Sequence, residues 1–186
     1  MLFKTKDEYL KIKKCEFLEY YYIEKKGIDN ISVVLFDKDT NQIGLINEGK
    51  LAFNERDNVD LSFKTSSING SLFEDITEKE YLSLNFNEQL DITKEITIKK
   101  IHEKCGYEIQ KLNFINRNIF SYNKNEYVWS FIAEVDRYSN IHKDVEDEIS
   151  DVYTTLWFNF EDLSLLEDGK FKAILFDYFI QNKMFV

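Results

Sequence analysis

The stretch Ile31-Ser32-Val33-Val34-Leu35-Phe36, then Asp37-Lys38-Asp39-Thr40-Asn41-Gln42, then Ile43-Gly44-Leu45-Ile46, constrains the fold more than any other part of the chain. β-Branched and large apolar residues suit a pleated, buried backbone. Asp, Asn and Thr between them supply turn chemistry. Residues 31–46 are therefore expected to form a β-hairpin. Phe17–Ile23, Val59–Phe63, Tyr81–Phe86, Tyr107–Phe114 and Tyr127–Val135 also read as strands, and so does an alternating run of Val152, Thr154, Leu156, Phe158 and Phe160. Residues 6–14 read as a short helix or a solvated lead-in, and residues 47–58 as a polar loop. Ile92, Ile96, Ile101 and Cys105 lie near helical spacing. This predicts a helix over 91–104, capped by Asp91 and stopped by Gly106. Glu161–Leu166 reads as a short helix broken at Asp168-Gly169. Ile174, Leu175, Tyr178 and Phe179 mark the buried stripe of a C-terminal helix. Strands, helix, strands, helix is not a regular βαβα alternation. It points to an α+β domain with a mixed β-sheet packed between helices.

At 186 residues the chain suits one domain spanning 1–186, with residues 1–30 an N-terminal extension or strand. Hydrophobic residues at 44% supply enough apolar surface for a core. A formal net charge of −10 argues against binding nucleic acid through its phosphates. The charged opening Met1–Glu8 is not expected to be a signal peptide, and no apolar run is long enough to span a bilayer. Cys15 and Cys105 form no metal-ligand pair and read as free thiols, so a cytoplasmic location is expected.

Ile96-Thr97-Ile98-Lys99-Lys100-Ile101-His102-Glu103-Lys104-Cys105-Gly106-Tyr107 resembles the helical half of the Nudix box. The family pattern is Arg-Glu-apolar-any-Glu-Glu-any-Gly-apolar. The match holds at Ile101, Glu103, Gly106 and Tyr107. It departs mildly at Lys99 and severely at Lys100 and Lys104. The flanking segments follow the family order: the 31–46 hairpin, the strand Phe131–Val135, an acidic loop from Asp144 to Trp157, and a closing turn at Glu161-Asp162-Leu163 and Asp168-Gly169-Lys170. The glycine half has two placements. Counting back from Gly106 gives Asn85 as the glycine position and Asp91 as the first acid. The preferred placement is Gly70 in Ile68-Asn69-Gly70-Ser71-Leu72, with an insertion over 73–90, because glycine suits a tight turn. The resemblance implies a Nudix-like α/β/α sandwich of the ADP-ribose pyrophosphatase kind.

The same resemblance implies hydrolysis of nucleoside diphosphates linked to another group. Three helix carboxylates at i, i+3 and i+4 share one face and hold divalent metal, which activates water. Here those positions are Lys100, Glu103 and Lys104. A protonated lysine offers no lone pair. At about 4–6 Å each ammonium opposes a divalent ion by on the order of a few kcal/mol at an effective dielectric near 20. Hydrolysis by the family mechanism is therefore expected to be weak or absent. Glu103 is the one candidate catalytic acid left. No cofactor is expected; Mg²⁺ or Mn²⁺ would be required if the chain were a hydrolase. The metal would then need a site rebuilt from Glu103 with Glu146 and Glu148, although a plain acidic loop over 144–151 is favoured.

The first-ranked expectation is a catalytically degenerate Nudix-like protein that binds a nucleotide-type small molecule. Lys99, Lys100, Lys104 and Gly70 would contact its phosphates. An active hydrolase and a non-enzymatic protein-interaction scaffold are the alternatives. The bland alternative for the lysines themselves is a solvated helix face. A homodimer is a candidate assembly. Asp37, Asp39, Asn41 and Glu48 have calcium-loop spacing, but Gln42 stands where that loop needs glycine and the flanks read as strands. His102 and His142 carry no motif. Trp129 and Trp157 read as core.

Overall fold

The computed structural model describes residues 10–14, 21–25, 29–49, 63–72, 75–119, 127–141, 154–165 and 169–183. β1 (Leu10–Lys14) and β2 (Tyr21–Lys25) pair antiparallel as a separate two-stranded ribbon. β3 (Asn30–Asp37), β4 (Gln42–Gly49), β5 (Phe63–Ser66), β6 (Ile68–Ser71), β7 (Ile109–Asn118), β8 (Val128–Val135) and β9 (Thr154–Phe158) form one mixed sheet of seven strands. β3 lies at its centre. It runs parallel to β8, and pairs antiparallel with β6 near its start and β4 near its end. β4 carries β5 and β9, and β7 extends the other side from β8. The helices are α1 (Glu78–Leu82), α2 (Phe86–Cys105) and α3 (Gly169–Gln181), with a 3₁₀ turn over Phe160–Leu165.

Side-chain alternation along the central strands builds two cores. Ile31, Val33 and Leu35 of β3 join Trp129, Phe131 and Ala133 of β8, beneath Tyr81 of α1 and Ile96, Ile101 and Cys105 of α2. Val34, Phe36 and Ile132 face the other way, against Phe171, Ile174 and Leu175 of α3. A strand covered on both faces reads as a continuous apolar run. That is why 31–36 and 128–135 are so legible in the sequence. The result is the expected α+β sandwich: α2, sheet, α3.

Asp37 ends β3. Its Oδ1 accepts from the N–H groups of Asp39 at 2.9 Å and Thr40 at 3.3 Å, and Asn41 closes the turn with φ 56°. Burial raises the Asp37 pKa, but the backbone donors of Thr40, Asp39 and Arg137 outweigh it and hold the carboxyl below its ordinary range. The turn lies between two strands, so the calcium-loop alternative fails on its flanks.

A second buried carboxylate was not anticipated. Asp29, 4% exposed, lies just before β3. Its Oδ2 accepts from Tyr81 Oη at 2.9 Å, Trp129 Nε1 at 2.8 Å and Arg117 at 2.8 Å. It ties α1, β7 and β8 to the start of the central strand. The Arg117 guanidinium also sits 4.1 Å from the Tyr127 ring centroid.

Five expectations need correction. Tyr81–Phe86 is not a strand: it spans the end of α1, a turn and the start of α2. α2 begins five residues before the expected 91 and is capped by Asn85, so Asp91 is an exposed helix-interior residue. Within 6–14, residues 10–14 are a strand rather than a helix. The polar stretch 47–58 also begins inside β4, and Phe160 leaves β9 for the 3₁₀ turn. The acidic loop over 144–151, His142 and Cys15 lie outside the described residues.

Candidate functional site

α2 positions every described candidate except Gly70. Two consecutive capping boxes launch it. Thr77 and Glu80 cap α1, and Asn85 and Glu88 cap α2, where Asn85 Oδ1 accepts from Asn87 N at 3.0 Å and Glu88 N at 3.2 Å. Gly106 ends the helix at φ 70°, ψ 21°, a left-handed conformation that a β-carbon disfavours. The inward face is unusually polar. Gln89, Thr93, Thr97 and Lys100 are all buried on it. Thr93 and Thr97 donate to carbonyls one turn back, at 2.7 and 2.6 Å.

Lys100 is 5% exposed, and its stem passes over Gly70 of β6. A Cβ at position 70 would stand 3.0 Å from Lys100 Cδ. Close approach, rather than a positive φ, is therefore what glycine provides here. The ammonium ends 3.0 Å from Asp75 Oδ2, while Lys99 Nζ reaches Asp75 Oδ1 at 2.9 Å. One carboxylate thus grips two adjacent lysines and pins the β6–α1 connection to α2. Burial raises the Asp75 pKa, but the two ammonium groups outweigh this and hold it below its ordinary 3.8. Asp75 is the site residue that sequence reasoning missed. No local pattern couples it to lysines 24 and 25 positions away.

The outer face of α2 borders an open groove of about 550 Å³. Glu95, Lys99, His102 and Glu103 line it at helical spacing, together with Tyr107 and Glu108 just past the helix end. Glu103 is exposed here. Glu103 and Lys99 sit one turn apart, and Glu103 adds to the field that raises the Lys99 pKa after the dominant hydrogen bond and charge of Asp75. Lys104 is half-buried and Tyr107 almost fully buried. Lys99 and Glu103 therefore share the groove. Lys100 and Gly70 lie together on the sheet side of α2, with Asp75. Glu146 and Glu148 lie outside the described residues.

The metal that the Nudix resemblance implies does not fit these residues. Among the described residues no three His, Cys, Asp or Glu side chains converge as a ligand set. Asp75 already faces two ammonium groups. A divalent ion on it would lie roughly 4 Å from the Lys100 ammonium, opposed by on the order of 8 kcal/mol at an effective dielectric of 20. Cys105 is fully buried, and burial pushes its thiol up to about 12, so it is no nucleophile.

No family model matches the sequence, and no curated protein matches it. The structure is similar to a solved structure of an ADP compounds hydrolase. The TM-score is 0.53 at 12% identity, covering 94% of this chain and 83% of that one. At that identity the likeness speaks for architecture alone, since one fold hosts many functions. The expected architecture is thereby met: this chain has a Nudix-like α+β fold, with a mixed sheet between helices.

Proposed function

We propose that this chain is a catalytically degenerate Nudix-like protein that binds a nucleotide-type or nucleoside-diphosphate-linked ligand without cleaving it by a carboxylate-held metal. The observation that carries the first half is the Lys100–Asp75 ion pair, reached by a lysine stem that passes over Gly70. It supports that half because the residue that the Nudix resemblance sets at an acid position is here a buried ammonium held by a carboxylate. The groove beside α2 supports the second half. Its volume lies within the range of small-ligand sites. Lys99, which reaches the groove while held by Asp75, supplies positive charge for phosphate. Glu95, Glu103 and Glu108 are acceptors suited to ribose hydroxyls. Lys100 is committed to Asp75 and is assigned a structural role, not a phosphate contact.

Thermal shift with ADP-ribose, NAD and nucleotides in EDTA tests binding, because a ligand that prefers the native state must raise its stability. A saturating ligand at 100 times its Kd adds about 2.7 kcal/mol. Hydrolysis of the same compounds with Mg²⁺ or Mn²⁺ tests catalysis, and turnover would overturn the degenerate reading. A protein-interaction scaffold is the second reading, favoured by Ile98, 45% exposed in the groove. It gains if no compound shifts the melting temperature.

A further inference from the structure

We propose that the Lys100 ammonium is a built-in cation, taking the place that a divalent ion would hold between the β6–α1 connection and α2. This rests on the degenerate reading and deepens it: the site has a resident charge, not merely missing ligands. Three independent features carry it. The ammonium is buried and delivered to a carboxylate, Asp75 Oδ2, at 3.0 Å. The strand beneath gives up a side chain to admit the lysine stem, since a Cβ at Gly70 would meet Lys100 Cδ at 3.0 Å. The other oxygen of the same carboxylate is held by Lys99 at 2.9 Å, so Asp75 is charge-compensated from both sides. A solvated surface lysine needs none of this. The Lys100 side chain is 6% exposed and that of Asp75 13%, so the pair is partly sheltered from screening at the lysine end, although Asp75 itself borders solvent.

A tethered cation differs from a bound one in being insensitive to chelators and to free metal. The inference therefore has a reversal test. In the wild-type chain, EDTA and millimolar Mn²⁺ should give the same melting temperature. Lys100→Glu places a second carboxylate against Asp75, more negative charge than Lys99 alone offsets, which a divalent cation would neutralise at a pH where both acids are ionised. The variant should melt lower than wild type in EDTA and recover in Mn²⁺. Mn²⁺ binding followed by electron paramagnetic resonance should tighten at least about tenfold, or about 1.4 kcal/mol, and adding Asp75→Asn should abolish the gain. If Lys100→Glu does not fold in EDTA, its refolding by Mn²⁺ counts in favour. If it folds in neither buffer, Lys100→Gln, which keeps an oxygen ligand without the charge, takes its place with the same Asp75 dependence.

The inference falls if neither variant binds Mn²⁺ more tightly than wild type, or if the gain survives Asp75→Asn. Wild-type Mn²⁺ binding that depends on Asp75 also overturns it. Turnover of ADP-ribose by the wild-type chain would instead overturn the degenerate reading itself, so the two failures are told apart.

Discussion

At the scale of single residues, Asp75 and Lys100 are not equivalent partners. Lys100→Met keeps the stem over Gly70 and leaves Asp75 with Lys99 at 2.9 Å. Its cost should be below about 1.5 kcal/mol, since apolar replacement of a buried ionic group is often tolerated. Asp75→Ala removes a carboxylate partner from a buried ammonium and should cost more than Lys100→Met, about 3 kcal/mol. Urea midpoints of the two variants check the order. Gly70→Ala forces the pinned lysine stem to move and should cost about 1–3 kcal/mol. Acid pH reports on the same residues. Asp75 and Asp37 both have folded pKa values below the ordinary 3.8. Each contributes stability that is fully present above the unfolded value and is lost as pH falls through the folded one. Wild-type stability should therefore drop steeply below about pH 4, and Asp37→Asn should flatten that limb relative to its own value at neutral pH. Equal limbs in wild type and variant would contradict this.

At the scale of elements, α1 and the first turn of α2 show how pattern can mislead. Tyr81-Leu82-Ser83-Leu84-Asn85-Phe86 alternates as a strand should. Yet Thr77 with Glu80 and Asn85 with Glu88 are two capping boxes in succession, and these local hydrogen bonds decide the outcome. The signal was present in sequence as two cap residues, each with Glu three positions on. Thr77→Ala and Asn85→Ala should each cost about 1 kcal/mol in denaturant unfolding. The stop at Gly106 was legible because few residues other than glycine accept φ 70°. The body of α2 was harder to read. Its buried face carries Gln89, Thr93, Thr97 and Lys100, so the helical period in hydrophobicity is faint.

At the scale of the whole molecule, Asp29 is the junction on which the sandwich is assembled. Tyr81, Arg117, Trp129 and the Tyr127 N–H all donate to it from separate segments. Asp29→Ala would leave several buried donors unmet and should cost about 3–5 kcal/mol. Hydrogen exchange should show the loss in α1 and at the starts of β3 and β8 together, rather than in one segment. Loss confined to a single segment would argue against a junction. On the opposite face, Phe171 of α3 is fully buried. Phe171→Ala should cost about 3–5 kcal/mol without altering ligand response, because α3 packs on the far side of the sheet from the groove.

The sequence by itself determined the architecture: the central hairpin, the largely apolar β8, the Gly106 stop and the C-terminal helix. Each depends on residues near one another in the chain, through alternation, turn chemistry or backbone conformation. It also put lysines at two α2 positions where the Nudix box that the segment resembles has acids. Only the tertiary structure decided where the replacements point. Lys99 reaches the groove edge and Lys100 is buried on Asp75, although they are neighbours in sequence. Successive helix residues lie about 100° apart, and what each one meets depends on a strand and a loop some thirty residues away. Long-range contacts of that kind leave no periodic trace in a single chain.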